Sequence, residues 1–384
     1  MGINYAAIIA SLGITATIAV VIITTQNNTS IKVESAIEKP LPANCSDGQP
    51  KRSGIANSPS PILKKLAEYE AVCNGSVTDR IMTFAPMPTT LDEAHSQAIS
   101  VAAELKEFKK HSISPIVVFE PSLTEANILK RIRGGEFDAT LAEYYATLKR
   151  EGVTDEVMGT WILFPEANTP SWTTTNPEDF IANTTKVAQL QKSTFPASKV
   201  SILLNSTTYP DNDLHWSKGE QKSLSPYLKN LPKNLVDSIG YQGFPYMPPA
   251  GSKDKAQLDP AHFLNHKIVA EASDITGIKN IWLNTGTFKT MHADNPNEKV
   301  SLSPEERGNI LNGVIKQVQT LRSKELLVTV NLFAEDKTAM NEAVDWSYWK
   351  PRQAATSTDT PVFDTFVRRL RANDTPLSLY DSLH

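Results

Sequence analysis

The chain predicts an α/β fold: a (β/α)8 TIM barrel preceded by an N-terminal transmembrane segment and a flexible tether. Three observations carry that expectation. After residue 75, short runs rich in Val, Ile and Leu alternate with stretches of helical periodicity, as in a parallel sheet buried on both faces. The 384 residues exceed one small domain and suit a barrel of roughly 250–300 residues plus an extension. No Gly-x-Gly-x-x-Gly turn follows an apolar run, which places a Rossmann-like sheet second.

Seven strands are expected, at Arg80–Ala85, Pro115–Phe119, Val157–Phe164, Lys199–Asn205, Val236–Gln242, Asn280–Asn284 and Leu326–Leu332. The eighth is expected within the long spacer 120–157. Helices are punctuated between them. Leu91–Lys110 carries Ala94, Ala98, Val101, Leu105 and Phe108 at helical spacing, and Asp138–Arg150 carries Leu141, Tyr145 and Leu148. Asn176 followed by Pro177 marks a helix start, and Ser303-Pro304-Glu305-Glu306 reads as a capping box. The last helix, Val362–Ala372, ends in Arg368-Arg369-Leu370-Arg371, read as a solvated basic face complementing a helix C-terminus.

Ahead of the barrel, Tyr5 to Thr25 is apolar and uncharged, just long enough to cross a bilayer. It reads as an uncleaved anchor with the domain outside the cytoplasm. A cleaved signal, which would leave the domain secreted, is the alternative. Residues 26–74 read as a flexible tether, because the Asn, Ser, Lys and Pro of its first part bury too little apolar surface to fold alone. The two cysteines, Cys45 and Cys73, could form one disulfide in an oxidising compartment or remain two thiols. Asn74, Asn183 and Asn205 each open an N-x-Ser/Thr pattern.

Composition narrows the function. A net charge of −4 with both signs mixed argues against a nucleic-acid partner. No Ser-His-Asp arrangement or nucleophile elbow is found, and no metal or cofactor is expected. His262 and His266 have a zinc-like spacing, but Phe263 stands where a zinc-protease helix would place its Glu. In a barrel, chemistry sits where strands end at the C-terminal face. Those ends collect Glu120, then Glu166 with Asn168 and Trp172, Tyr241 with Phe244 and Tyr246, Asn284, and Glu335 with Asp336. Trp346 and Trp349 follow. Amides and carboxylates hydrogen-bond sugar hydroxyls, while aromatic faces pack on pyranose rings. The expected partner is therefore a polysaccharide or oligosaccharide. Glu120, Asn168, Trp172, Tyr241, Tyr246 and Trp346 are the substrate-binding candidates.

Ile132-Arg133-Gly134-Gly135-Glu136-Phe137-Asp138, the loop Phe164-Pro165-Glu166-Ala167-Asn168 with Trp172, and Val236-Asp237-Ser238-Ile239-Gly240-Tyr241 together resemble the family 26 glycoside hydrolases, a β-mannanase-like group. The resemblance spans roughly residues 75–350. It implies a barrel acting on β-linked polysaccharide, mannan or glucan, with Glu166 as acid/base. Pro165 stands where that family commonly has His, and Gln242 or Gly243 where it often has Asp. Asn284 takes the place of the nucleophile glutamate. A neutral amide cannot form the glycosyl-enzyme bond, so the second carboxylate would have to come from elsewhere. Glu335 or Asp336 at the next strand end could supply it, Glu120 could act as base in an inverting geometry, or a substrate acetamido group oriented by Asn284 could replace the nucleophile. The rival reading is a barrel that binds surface carbohydrate, as an adhesin does, without cleaving it.

Overall fold

The computed structural model describes residues 39–121, 127–168, 176–205, 224–245, 258–292, 299–334, 344–345, 347–348 and 354–380. The barrel strands, with the shorter strands of the loops, are β1 (Arg80–Pro86), β2 (Ser114–Glu120), β3 (Thr160–Leu163), β4 (Lys199–Asn205), β5 (Ser238–Gln242), β6 (Asn280–Thr285), β7 (Thr290–His292), β8 (Lys299–Ser301), β9 (Leu327–Phe333), β10 (Val344–Asp345) and β11 (Leu377–Tyr380). Eight of them close a parallel barrel in the order β1-β11-β9-β6-β5-β4-β3-β2, and β10-β7-β8 form a small separate sheet. The chain is a (β/α)8 barrel.

The eighth strand is not in the spacer 120–157. That stretch holds helices α3 (Ile128–Gly134), α4 (Asp138–Arg150) and α5 (Asp155–Met158), and β11 closes the barrel at the other end of the chain. Only two register pairs join β11 to β1, Ile81 with Leu379 and Met82 with Tyr380. Four residues are too short a run to stand out by periodicity, so closure decides this strand.

Local signals hold elsewhere. α2 (Leu91–Lys110) opens with a capping box between Thr90 and Glu93. α6 (Pro177–Thr194) begins after Asn176, whose side chain accepts from the Asp179 N–H, and α10 (Pro304–Arg322) follows the Ser303–Glu306 box. Between these lie α7 (Ser225–Leu228), α8 (Pro260–Phe263) and α9 (His266–Thr276), and the chain ends with α11 (Thr360–Ala372) before β11. Trp161, Phe119, Tyr144 and Tyr145 are fully buried between β2, β3 and α4, with Phe119 and Trp161 edge to face at 5.1 Å.

Part of the expected tether is folded. Residues 61–73 form helix α1 (Pro61–Cys73), which buries Leu63, Leu66 and Tyr69 and packs the Tyr69 ring, tilted by 46°, against Phe363 of α11. Composition missed this because α1 is only amphipathic and gains stability by docking. Cys45 and Cys73 are disulfide-bonded with Cα atoms 4.9 Å apart, which fastens residues before the helix to its end. Arg52 pairs with the buried Glu70, and its backbone N–H donates to the same carboxylate at 2.9 Å. The arginines of α11 are not a merely solvated face. Arg368 donates to the Pro42 carbonyl at 2.6 Å, Arg369 to Asn312, and Arg371 to the Ser76 and Val77 carbonyls at 3.0 Å.

No helix among the described residues is long and apolar enough to cross a membrane, and residues 1–25, where the anchor is expected, lie outside them. Asn183 is fully buried and donates to the Leu129 carbonyl at 2.9 Å, so its acceptor pattern is closed to glycan transfer in the folded chain.

Candidate functional site

The barrel interior is stacked in three layers, each identified by contacts that skip a strand. β1 and β9 are separated by β11, so side chains that join them face inward. At the N-terminal end Arg80 donates to the Thr329 hydroxyl at 3.1 Å and lies over the Trp282 ring of β6. In the middle, amides run across three strands. Asn284 donates to Gln242 at 2.6 Å, Asn331 donates to Asn284 at 2.7 Å, and the same Asn331 amide reaches the Met82 sulfur at 3.3 Å. At the C-terminal end aromatic rings form an arc from β1 to the end of β5. Phe84 meets Tyr380 edge-on at 5.5 Å, Tyr380 stacks on Phe333 at 4.4 Å, and Phe333 meets Phe244 at 5.6 Å.

Barrel interiors are usually filled by branched apolar side chains. Here the middle layer is amide across β5, β6 and β9, and the upper layer is a half-ring in which Phe84 and Phe244 stay partly exposed. A polar floor under an aromatic wall can accept hydroxyls from one side and the C–H face of a sugar ring on the other. Phe84, Phe333 and Tyr380 were not among the candidate residues. Their signal is the alternation within apolar strands, visible only once the inward face is known.

Glu166 sits just beyond β3 on an unusual turn. Phe164 has φ 51° and Glu166 φ 57°, both left-handed and neither glycine, on either side of Pro165. Bulky residues rarely take this conformation, which costs on the order of 1–3 kcal/mol each and concentrates at functional sites. The turn is held by the Glu166 N–H, which donates to the Leu203 carbonyl of β4 at 2.7 Å, and by complete burial of Phe164. Glu166 itself is half-buried. Glu120 ends β2, opposite Pro86 in the register with β1, and is also half-buried.

The other candidates divide. Asn284 is 5% exposed, and its donor and acceptor both serve the amide chain. Asn168 is a backbone clamp rather than an exposed contact. It donates to the Asn205 carbonyl at 2.9 Å and accepts from the Asn205 N–H at 2.8 Å, tying the Glu166 loop to β4. Tyr241 is turned away from the mouth. Strand alternation places it opposite its neighbour Gln242, and it is fully buried with its phenol pushed well above its ordinary range by burial. Gly243 cannot carry a side chain at all, because a Cβ there would stand 1.6 Å from the Phe263 carbonyl oxygen. Trp172, Tyr246, Glu335, Asp336, Trp346 and Trp349 lie outside the described residues.

No family model matches the sequence, and no curated protein matches it. Solved structures match the fold. A family 1 β-glucosidase from Thermotoga maritima superposes with a TM-score of 0.55 at 10% identity over 85% of this chain and 94% of that one. A β-glucosidase from Thermotoga maritima in complex with deoxynojirimycin gives 0.53 at 10% identity over 81% and 85%. An exo-β-1,4-mannosidase from Opitutaceae bacterium strain TAV5 gives 0.52 at 11% identity over 85% and 57%. At such identity the likeness is one of architecture: the (β/α)8 barrel of this chain is built like those of glycoside hydrolases.

Proposed function

We propose that this protein is a glycoside-hydrolase-type barrel of the family 26 kind, taking β-linked polysaccharide of mannan or glucan type at its C-terminal mouth, with Glu166 as acid/base. The Phe164-Pro165-Glu166 turn is the observation that carries this reading, since two left-handed non-glycine residues there hold a half-buried carboxylate just past a barrel strand, and such backbone concentrates at functional sites. Glycoside hydrolysis needs a second carboxyl, about 5–5.5 Å away for retention or about 6.5–9.5 Å for inversion. Glu335, two residues past the end of β9, is the residue we assign, with Glu120 as the inverting alternative.

The amide chain favours a second reading. Asn284 is neutral and hydrogen-bonded on both sides, so the position the family motif reserves for a nucleophile is structural here. A barrel that holds carbohydrate without cleaving it would fit that interior. Wild type, Glu166→Gln and Glu335→Gln assayed on β-mannan and β-glucan separate the two. The hydrolase reading expects wild-type turnover that falls by two or more orders of magnitude in each variant. Retained binding with no turnover by any of the three establishes the binder, and turnover unaffected by Glu166→Gln removes the acid/base role.

For location, we propose a membrane-anchored protein whose barrel lies outside the cytoplasm. The Cys45–Cys73 disulfide supports this, because such bonds persist in oxidising compartments.

A further inference from the structure

The N-terminal end of the barrel, opposite the mouth that carries Glu166, holds a cavity of about 540 Å3. That volume falls within the roughly 300–1,000 Å3 of small-molecule sites. Small polar side chains at Ser114, Thr160 and Ser238 leave room along one part of its wall, beside Ile116, Arg80 and Trp282. The remaining wall is held in place. Trp282 donates its indole N–H to the Ser238 hydroxyl at 2.8 Å, and Arg80 is fixed over that ring by its bond to Thr329.

Charge decides what could occupy it. Arg80, Lys199 and Arg322 line the cavity together with Asp237 and Asp374. Asp237 accepts from Lys192 at 3.1 Å, Lys199 at 3.3 Å and the Val200 N–H at 2.9 Å, while Arg322 donates to the Asp374 carbonyl at 2.8 Å. The lining thus mixes charged donors with carboxylate and carbonyl acceptors and offers neither an anion nor a cation a wall of one sign. A neutral polyol uses both, since every hydroxyl donates and accepts. An apolar surface is also present: Leu327, which lines the same cavity, is 65% exposed and offers a partner for a sugar C–H face.

We infer that this N-terminal cavity is a second carbohydrate-binding site, independent of the mouth at Glu166. It binds a short neutral oligosaccharide through Arg80, Lys199, Asp237 and Asn280, against Trp282 and Leu327. The site stands whether or not the C-terminal mouth hydrolyses anything.

The Trp282 indole N–H is the reporter. The full chain, labelled with 15N-indole tryptophan and assigned through Trp282→Phe, is titrated with mannotetraose and with cellotetraose. A saturable shift of the Trp282 signal is expected with at least one of them. Arg80→Gln is expected to weaken binding at least about tenfold, and Ser114→Trp, placed at the exposed rim, to abolish the shift. Lys199→Gln, at a side chain 62% exposed, gives a milder loss with little risk to folding. Glu166→Gln leaves the signal and its affinity unchanged. The inference is overturned if the Trp282 signal stays fixed at millimolar concentrations of both sugars. It is equally overturned if the shift survives Ser114→Trp in a folded chain, or follows Glu166→Gln instead. A shift that survives Glu166→Gln while turnover is lost supports both sites at once.

Discussion

Asn284→Ala tests whether the barrel centre is structural amide or ligand contact. Asn284 is 5% exposed, and truncation removes the acceptor of Asn331 and the donor to Gln242. A buried polar group stripped of its partner costs about 1–3 kcal/mol. Two features reduce the total here. Gln242 is half-buried and can take water, and Asn331 keeps its contact with the Met82 sulfur at 3.3 Å. The expected loss is therefore about 2–3 kcal/mol, or about 3–5 °C in Tm for a barrel of this size. Urea unfolding followed by tryptophan fluorescence gives the number, and Asn284→Ala combined with Asn331→Ala closes a double-mutant cycle. Coupling of about 0.5–3 kcal/mol is expected for groups in one network. A loss under about 0.5 kcal/mol with additive effects would refute the amide chain. Lower sugar affinity at unchanged Tm would reassign Asn284 to the ligand.

Three further outcomes are expected. Arg307 is fully buried, sits 3.0 Å from Asp359, donates to the Thr287 carbonyl and lies over the Tyr348 ring. Arg307→Met leaves the buried Asp359 carboxylate with the Lys289 ammonium at 3.7 Å and lowers stability by about 3 kcal/mol, while Arg307→Met with Asp359→Leu recovers most of it by calorimetry. Removing the Cys45–Cys73 bond, which closes a separation of 28 residues, is expected to cost roughly 3.5 kcal/mol in a Cys45→Ser/Cys73→Ser chain, read as the shift in urea midpoint. The Lys110 ammonium and then the Ser58 hydroxyl hold the Glu107 carboxyl below the usual carboxylate range, against the effect of burial. A folded value below the unfolded one stabilises the protein above the unfolded pKa of about 4.3, and that contribution fades as pH falls through the folded value. Glu107→Gln should thus be less stable than wild type at pH 7, and the two unfolding midpoints should converge in strong acid. A constant difference across that range would exclude the linkage.

Much of this architecture was readable because its signals are local. The Ser303 cap, the Asn176 start and the Val- and Leu-rich runs depend on neighbours within a few positions, so the sequence alone placed them. The strand-end location of Glu166 came the same way, from one apolar run and the residue after it. What the sequence could not supply was whatever depends on closing the sheet. β11 is a strand only because β1 and β9 leave an edge for it. Tyr241 and Gln242 look equally plausible in order, yet pleat alternation sends one to the helices and the other to the lumen. Asn284 read as a vacant nucleophile position, and Asn168 as a ligand contact; the cross-strand partners of both amides were not legible in the sequence. The sequence by itself determined a barrel and a carboxylate at its rim. Tertiary structure decided which side chains share the interior, because hydrogen bonds between strands far apart in the chain exist only once the barrel has closed.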